Sequence, residues 1–209
     1  MEIIIQDLCK SYGALTVLSH LDLHFTSARP CCLMSPSGSG KTTLFRILMG
    51  LEQADGGSLC FTENGHPLSK RPRISAVFQE DRLCEAFTPL ENVRMAAGRA
   101  LSAGQIRKEM ALLLPEESLD RPVFTLSGGM KRRTALCRAV LTPCEILLMD
   151  EPFTGLDSGT RSQAIRYILD RLQGRLLLIA THSEEDVSLL GGEILHLQSQ
   201  RVSESLSPP

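Results

Sequence analysis

The sequence predicts an α/β fold in which a parallel sheet forms the core, with an N-terminal antiparallel β subdomain and an inserted α-helical subdomain. The first observation is a set of short apolar runs without polar alternation, which are typical of parallel strands covered on both faces. These runs are residues 31–34, 76–78, 146–149 and 176–180. The second is the helical spacing of apolar residues within 44–51, 135–140 and 164–172, the last of which Gly174 is expected to terminate. Strands that alternate with helices indicate an α/β domain.

The N-terminal part predicts a separate, antiparallel sheet. Residues 3–8 and 18–25 have the character of strands, and in the second segment apolar residues alternate with polar ones. Such alternation indicates a half-buried strand, as is common in antiparallel sheets. Asn64 and Gly65, between two short strand-like segments, predict a hairpin turn.

Residues 83–125 differ from their surroundings, because five prolines and glycines interrupt two helix-like pieces at 90–100 and 103–114. We expect a single domain over 1–209, in which 1–82 and 126–209 form the catalytic core with its antiparallel β subdomain, and 83–125 form the helical subdomain. The apolar fraction of 43% is sufficient for one sizeable core. The tail at 203–209 is expected to fray.

Charge and cysteine content exclude several classes of protein. A net charge of −2, from 22 basic and 24 acidic residues, gives no basic field of the kind that duplex-binding proteins carry, so we expect no nucleic acid partner. Seven irregularly spaced cysteines without a CxxC pair argue against a disulfide framework and against a structural zinc site. The start of the chain is unlike a signal peptide, and no apolar run approaches the roughly 18 residues that span a bilayer. We therefore expect a cytoplasmic protein with reduced thiols.

The segment SPSGSGKTT, residues 35–43, resembles the phosphate-binding pattern GxxxxGK[ST], with Ser35 in the place of the first glycine. Glycines let backbone N–H groups converge on phosphate oxygens at the positive end of the following helix, where Lys41 would neutralise the outer phosphates. Thr42 would place its hydroxyl on Mg²⁺. Since Ser35 keeps its N–H, we expect nucleotide binding to survive. The predicted nucleotide ligands are Ser37, Gly38, Ser39, Gly40, Lys41, Thr42 and Thr43; the alternative is a plain Gly/Ser turn before a helix.

The segment ILLMDE, residues 146–151, is an apolar strand that ends in two carboxylates. Adjacent side chains of a strand point to opposite sides, so the two carboxylates can serve different groups. We assign Asp150 to Mg²⁺, through water, and Glu151 as the general base for an attacking water. Taken alone, such a pair can be only the solvated end of a buried strand.

The segment LSGGMKRR, residues 126–133, contains a second candidate anion site. Ser127, Gly128 and Gly129 precede a helix, whose N-terminus attracts negative charge. A Ser-Gly-Gly turn is common in isolation, but this one lies 18 residues ahead of the ILLMDE strand.

With four further segments, the chain resembles the ATP-binding subunits of ABC transporters over essentially its whole length. KSYG with Tyr12 resembles the loop on which adenine stacks, and VFQE with Gln79 resembles the Q-loop. TGLD with Asp157 resembles the D-loop, and ATHS with His182 resembles the switch histidine. Seven motifs occur in the order of the family.

The resemblance implies a P-loop NTPase (RecA-like) core, with ATP and Mg²⁺ as cofactors. Lys41, Gln79, Glu151 and His182 would be catalytic, and Gln79 would join Thr42 and Asp150 at the metal. Tyr12, Asp157 and the residues of LSGG would contact nucleotide. Two positions depart from the family pattern: Met130 replaces a common glutamine, and Ser183 replaces a common aspartate but can cap the next helix together with Asp186.

The resemblance also implies the partners. Two copies would pack head to tail and sandwich two ATP molecules, because one triphosphate cannot easily reach both anion sites. The chain would act at the cytoplasmic face of the cell membrane with integral permease subunits, and through them with an extracytoplasmic solute-binding protein. FQEDRL followed by FTPLENV most resembles importers of nitrate, sulfonate and taurine, and we expect no C-terminal regulatory domain of the kind that some sugar importers carry.

Two alternatives stay open at this point. A soluble ABC ATPase that acts on DNA or ribosomes would carry long coiled-coil insertions or two cassettes in one chain. Another P-loop ATPase or kinase would have no use for LSGGM and would need a second substrate pocket.

Overall fold

The computed structural model describes residues 1–36 and 38–197, in which two sheets and six α-helices form. The strands are β1 (Glu2–Tyr12), β2 (Leu15–Thr26), β3 (Cys31–Leu33), β4 (Gly56–Glu63), β5 (His66–Pro67), β6 (Ile74–Val77), β7 (Ile146–Asp150), β8 (Leu176–Ala180) and β9 (Glu193–Leu195). The helices are α1 (Lys41–Leu48), α2 (Pro89–Ala97), α3 (Ala103–Met110), α4 (Gly128–Leu141), α5 (Ser158–Asp170) and α6 (Glu184–Leu190), with 3₁₀ turns at Glu116–Ser118 and Val123–Thr125. Ser37 and the tail predicted to fray at 203–209 lie outside the described residues.

The parallel sheet has the strand order β6-β7-β8-β3-β9, with every neighbouring pair parallel. All side chains of β7 and β8 are buried, and they alternate between two hydrophobic clusters. Leu147 and Met149 pack with α4 and α5, whereas Ile146 and Leu148 pack with α1 and the antiparallel sheet. The sheet is therefore covered on both faces, which confirms the interpretation of the short apolar runs.

The antiparallel sheet has the order β2-β1-β4-β5, and β1 pairs with both β2 and β4. Its inner residues, such as Ile3 and Phe25, are fully buried in the same cluster as Leu44 of α1. The hairpin between β4 and β5 turns at Asn64 (φ 52°) and Gly65 (φ 78°). Positive φ at both central residues is what a type I′ turn requires, so the predicted hairpin is confirmed.

Helices α2 and α3 occupy part of the region 83–125. Each begins with a capping box, in which the side chains of Thr88 and Ser102 accept the N–H three residues on, at 3.2 and 3.3 Å. Both helices are shorter than predicted: α2 ends at Ala97, before Gly98 with its φ of 61°, and α3 ends at Met110. Helix α5 also ends two residues before the predicted Leu172, since its last bonds tighten to the 3₁₀ pattern. The division into a core and a helical subdomain stays a prediction.

Helices that are long and apolar enough to cross a bilayer do not occur in the described part of the chain.

Candidate active site

The candidate active site lies at the carboxyl ends of four adjacent strands, β6, β7, β8 and β3. In parallel sheets this edge is where ligands bind, because the loops that leave the strands form a crevice there. A cavity of about 600 Å³ opens at this edge. It is lined by Val17, Gly38, Ser39, Gly40, Lys41, Thr42, Thr43, Gln79, Asp150, Glu151, Thr154 and His182.

The loop between β3 and α1 has the backbone of an anion site. Gly38 (φ 80°) and Gly40 (φ 91°) are both left-handed. A Cβ on Gly40 would lie 2.7 Å from Leu18 Cδ2 and 3.0 Å from Val17 O, so only glycine fits there. Helix α1 begins at Lys41 without a side-chain cap, and the N–H groups of its first turn have no acceptor within the helix. These groups face the cavity with the positive end of the helix dipole.

Two side chains of the loop bear on whether a phosphate group fits. Ser39 is 8% exposed, and its Oγ is a buried polar atom that has no hydrogen-bond partner among the described residues. Lys41 Nζ bends back and donates to the carbonyl oxygens of Ser35 and Pro36, the latter at 3.1 Å. The ammonium is thus at the loop and within the cavity lining. An orphaned hydroxyl, an ammonium and unpaired helix N–H groups form a donor set that suits a polyphosphate.

Ser35 makes side-chain hydrogen bonds that glycine could not make. Its backbone is not left-handed, so serine fits without strain. Its Oγ donates to Met34 O at 2.6 Å and accepts the N–H of Leu197 at 2.7 Å. The carbonyl of Met34 also lies 2.7 Å from His196 Nδ1. The residue that departs from the phosphate-loop pattern therefore connects the start of the loop to the segment after β9.

Asp150 and Thr42 form the part of the cavity that fits Mg²⁺. Thr42 Oγ1 donates to Asp150 Oδ2 at 2.9 Å, and Asp150 is 6% exposed at the end of β7. A hydroxyl and a carboxylate are the hard oxygen ligands that Mg²⁺ prefers, and one or two such ligands are usual because the ion keeps several waters. The predicted pair is thus brought together.

Glu151 and His182 form a second pair. His182 Nδ1 lies 2.9 Å from Glu151 Oε2, with 19% of the Glu151 side chain exposed and 77% of that of His182. Glu151 has a φ of 47°, in the left-handed region that a residue with a side chain seldom adopts. Its N–H still bonds to Ala180 O at 2.9 Å. The neighbouring carboxylates Asp150 and Glu151 therefore contact different groups, but Glu151 follows β7 in a left-handed conformation, so the alternation of a strand is not the reason.

Gln79 lines the cavity with an exposed side chain, and its backbone is held by a residue that the sequence analysis missed. Arg132 on α4 donates from Nη1 to Phe78 O at 2.8 Å and from Nη2 to Gln79 O. Its Nε lies 3.2 Å from Asp81 Oδ1. Burial raises the pKa of Asp81, and the nearby Arg132 opposes that shift. An arginine within LSGGMKRR was the available signal, but its target lies 53 residues away.

Other predicted ligands lie apart from the cavity. Tyr12, at the end of β1, is 46% exposed and has Lys10 Nζ 5.1 Å from its ring centroid. Ser127 caps α4 by accepting the Met130 N–H at 3.3 Å. Asp157 caps α5 by accepting the Thr160 N–H at 2.9 Å, and these bonds lower the pKa of Asp157. None of these three predicted ligands is among the residues that line the cavity.

The LSGG turn and the two departures from the family pattern have definite surroundings. A Cβ on Gly129 would lie 3.7 Å from Leu156, so the turn packs against the loop after β7. Met130 packs partly buried against the core, where an apolar side chain suits better than glutamine. Ser183 Oγ accepts the Asp186 N–H at 3.2 Å, which confirms the predicted cap of α6.

Comparison with known proteins is consistent with this geometry. A family profile described as "ABC transporter" matches residues 18–154. The chain is 36% identical to the "Sulfate/thiosulfate import ATP-binding protein CysA" of Xylella fastidiosa, over 100% of this chain and 64% of that protein. It is 36% identical to the "Nod factor export ATP-binding protein I" of Ralstonia nicotianae, over 94% of this chain and 64% of that protein. It is 38% identical to the "Aliphatic sulfonates import ATP-binding protein SsuB 3" of Rhodococcus jostii, over 91% of this chain and 69% of that protein.

Among solved structures, the chain resembles a dimeric bacterial ABC transporter cassette called MJ0796. The TM-score is 0.80 at 25% identity, and the match covers 93% of both chains. The same cassette in a post-hydrolysis state, bound to ADP and Pi, matches with a TM-score of 0.78. The chain spans 64% of the length of the first two relatives, that is, less than two thirds.

Proposed function

The chain belongs to the ABC transporter family, and from this premise we propose that it binds and hydrolyses ATP to drive a membrane transporter. One observation carries the proposal: six residues assigned to phosphate, metal or water by sequence converge on one cavity of about 600 Å³. They are Lys41, Thr42, Gln79, Asp150, Glu151 and His182. They lie at the carboxyl ends of four different strands or directly after them, and solvated strand ends alone would not explain why they share one cavity.

The phosphate loop would bind the triphosphate. The N–H groups at the start of α1 and the Ser39 hydroxyl would donate to phosphate oxygens. The Lys41 ammonium would leave the carbonyl oxygens of Ser35 and Pro36 and bind the outer phosphates instead. Thr42 and Asp150 would hold Mg²⁺, which neutralises charge on the phosphates when bound. Gln79, which lines the same cavity, would complete the metal and water contacts.

Glu151 would orient the attacking water and take its proton. The carboxylate is directed by the 2.9 Å contact with His182 Nδ1, so the imidazole holds one oxygen in place while the other is free for water. His182, with its exposed ring, would contact the γ-phosphate. Preorganised groups of this kind lower the barrier because charge develops where donors already point.

Replacement of Glu151 by glutamine tests the general base. The amide keeps the size of the side chain but cannot accept the proton, so we expect ATP hydrolysis to fall by about 10²–10⁴-fold while ATP binding is retained. Hydrolysis is followed by phosphate release and binding by equilibrium dialysis. Glu117→Gln, at an exposed position in the first 3₁₀ turn, is the matched control. Hydrolysis by Glu151→Gln at the parental rate would remove Glu151 from the mechanism.

The proposed working form is a head-to-tail pair of chains. Ser127, Gly128 and Gly129 would bind an anion outside the cavity, so a nucleotide that contacts this turn would be held by the phosphate loop of a second copy. The similarity to a cassette described as dimeric supports the arrangement. ATP would favour the closed pair and hydrolysis would release it, since the γ-phosphate contacts are made in the closed state.

A membrane permease would convert this closure into transport. We propose that the chain sits on the permease at the cytoplasmic face of the membrane and that residues 81–87, which follow Gln79, form the contact. Two of the similar relatives are named for import of sulfate, thiosulfate or sulfonates and one for export of Nod factor, which favours an importer of a small oxyanion or sulfonate. Purification of the chain from membranes in mild detergent should recover permease subunits. Recovery of ribosomes or DNA instead would contradict the proposal.

A further inference from the structure

Away from the candidate active site, β1 and β2 bring an aspartate, a cysteine and a histidine together. One ligand atom each from Asp7, Cys9 and His20 lies within 4.8 Å of the other two. His20 Nδ1 is 2.5 Å from Asp7 Oδ1. Cys9 Sγ accepts the backbone N–H of His20 at 3.3 Å and is a free thiol. An oxygen, a sulfur and a nitrogen ligand thus converge on one point of the surface.

Irregularities in the strands create this convergence. The pairing of β1 with β2 shifts register between Ile5 and Leu8, and Asp7 (φ 54°) and His20 (φ 47°) are both left-handed. Strand β4 closes on the same place, because a Cβ on Gly57 would lie 2.3 Å from Asp7 O. Left-handed residues other than glycine persist only where the surroundings hold them. The backbone at Asp7 and His20 is therefore held in place.

We propose that Asp7, Cys9 and His20 bind a divalent transition metal, with Zn²⁺ as the ion of best fit. Mixed thiolate, imidazole and carboxylate ligands are typical of Zn²⁺, whereas Mg²⁺ and Ca²⁺ select oxygen ligands. Three protein ligands leave the fourth tetrahedral position for water. The site shares no residue with the predicted Mg²⁺ ligands and does not depend on the proposed ATPase function.

The side chains can open to the spacing that an ion needs. Two ligands on one tetrahedral Zn²⁺, each about 2.0–2.1 Å from it, lie about 3.3 Å apart. The contact of 2.5 Å between Asp7 and His20 must therefore lengthen by somewhat less than 1 Å. Both side chains are about 70% exposed, at 68% and 72%, so a rotation about χ angles accomplishes this without repacking the core.

The test is a titration of the reduced, nucleotide-free full chain with Co²⁺ and then Zn²⁺. Co²⁺ serves as the probe, because a thiolate bound to it produces a charge-transfer band in the near ultraviolet. We expect this band to saturate at a single equivalent, to disappear on addition of Zn²⁺, and to be absent in Cys9→Ser. Asp7→Asn and His20→Asn should weaken binding at least about tenfold, the range found when the surroundings of a metal are disturbed.

The variants allow metal ligation to be separated from folding. Asparagine tolerates a left-handed backbone, so Asp7→Asn and His20→Asn keep the conformation of the bulge, and thermal melting without metal checks this. Cys84→Ser and His66→Asn, at exposed positions elsewhere, should bind as the parent does. Three outcomes would overturn the proposal: no thiolate band, a band that persists in Cys9→Ser, or a loss of metal affinity in the two control variants as large as that in Asp7→Asn and His20→Asn.

Discussion

Arg132→Met would remove the guanidinium that binds the backbone around Gln79, while a side chain of similar length remains. The Arg132 side chain is 8% exposed, donates to the carbonyls of Phe78 and Gln79, and lies 3.2 Å from Asp81 Oδ1. Removal leaves two carbonyls and a carboxylate without their partner. Breaking a buried ion pair from one side costs about 3–5 kcal/mol. Because the Asp81 side chain keeps 23% exposure, we expect a loss of about 3 kcal/mol in the free energy of unfolding.

The loss should depend on pH. Burial raises the pKa of Asp81, and attraction to Arg132 opposes this, so removing Arg132 raises the pKa further. A carboxyl with a folded-state pKa above its unfolded value binds more protons when folded, so its stabilising contribution is present at low pH and is lost as the pH rises through the folded-state pKa. The deficit of Arg132→Met should therefore be larger at neutral pH than at mildly acidic pH.

Urea denaturation of Arg132→Met and the parent at neutral and at mildly acidic pH measures this deficit, and ATP hydrolysis is followed in parallel. Hydrolysis should fall as well, because Gln79 loses the anchor of its backbone. Arg166→Met, at an exposed position on α5, is the matched control and should change stability by less than about 0.5 kcal/mol. A deficit below about 1 kcal/mol at neutral pH, or one independent of pH, would refute the reasoning.

Four further substitutions test the phosphate loop and the LSGG turn. Gly40→Ala should weaken nucleotide binding by more than about tenfold, because the new Cβ meets Leu18 and a backbone carbonyl. Gly38→Ala, at a position with a similar φ and no atom within 4 Å of the new Cβ, should weaken binding less, and equal losses of affinity would mean that backbone strain alone is the cause. Ser35→Gly should lower the free energy of unfolding, measured in urea, by about 1–2 kcal/mol, because the hydrogen bond to Leu197 is lost and the unfolded chain gains freedom. Unchanged stability would mean that the hydrogen bond between Ser35 and Leu197 does not stabilise the fold. Ser127→Arg should leave ATP binding intact but abolish ATP-dependent dimers in light scattering, and dimers that persist would argue against a shared site.

Several features of the fold could be predicted because their cause is local. A strand covered on both faces needs consecutive apolar residues, so β7 and β8 were evident from their runs. A type I′ turn needs two left-handed residues, which Asn64 and Gly65 provide. Helix ends were predicted less well: α2 and α3 stop earlier than their apolar periodicity, because the end of a helix depends on where the following chain finds its hydrogen bonds.

Most residues that line the cavity could be identified from local patterns, because strand ends, glycines and a lysine occur in an order that the topology gathers at one edge of the sheet. Contacts between distant parts of the chain become apparent only in the folded structure. Ser35 bonds to Leu197 across 162 residues, and Arg132 bonds to Gln79 across 53. Asp7, Cys9 and His20 meet only because register shifts re-aim side chains between two strands. Local sequence patterns do not predict such contacts, because each contact depends on how separate elements pack against one another.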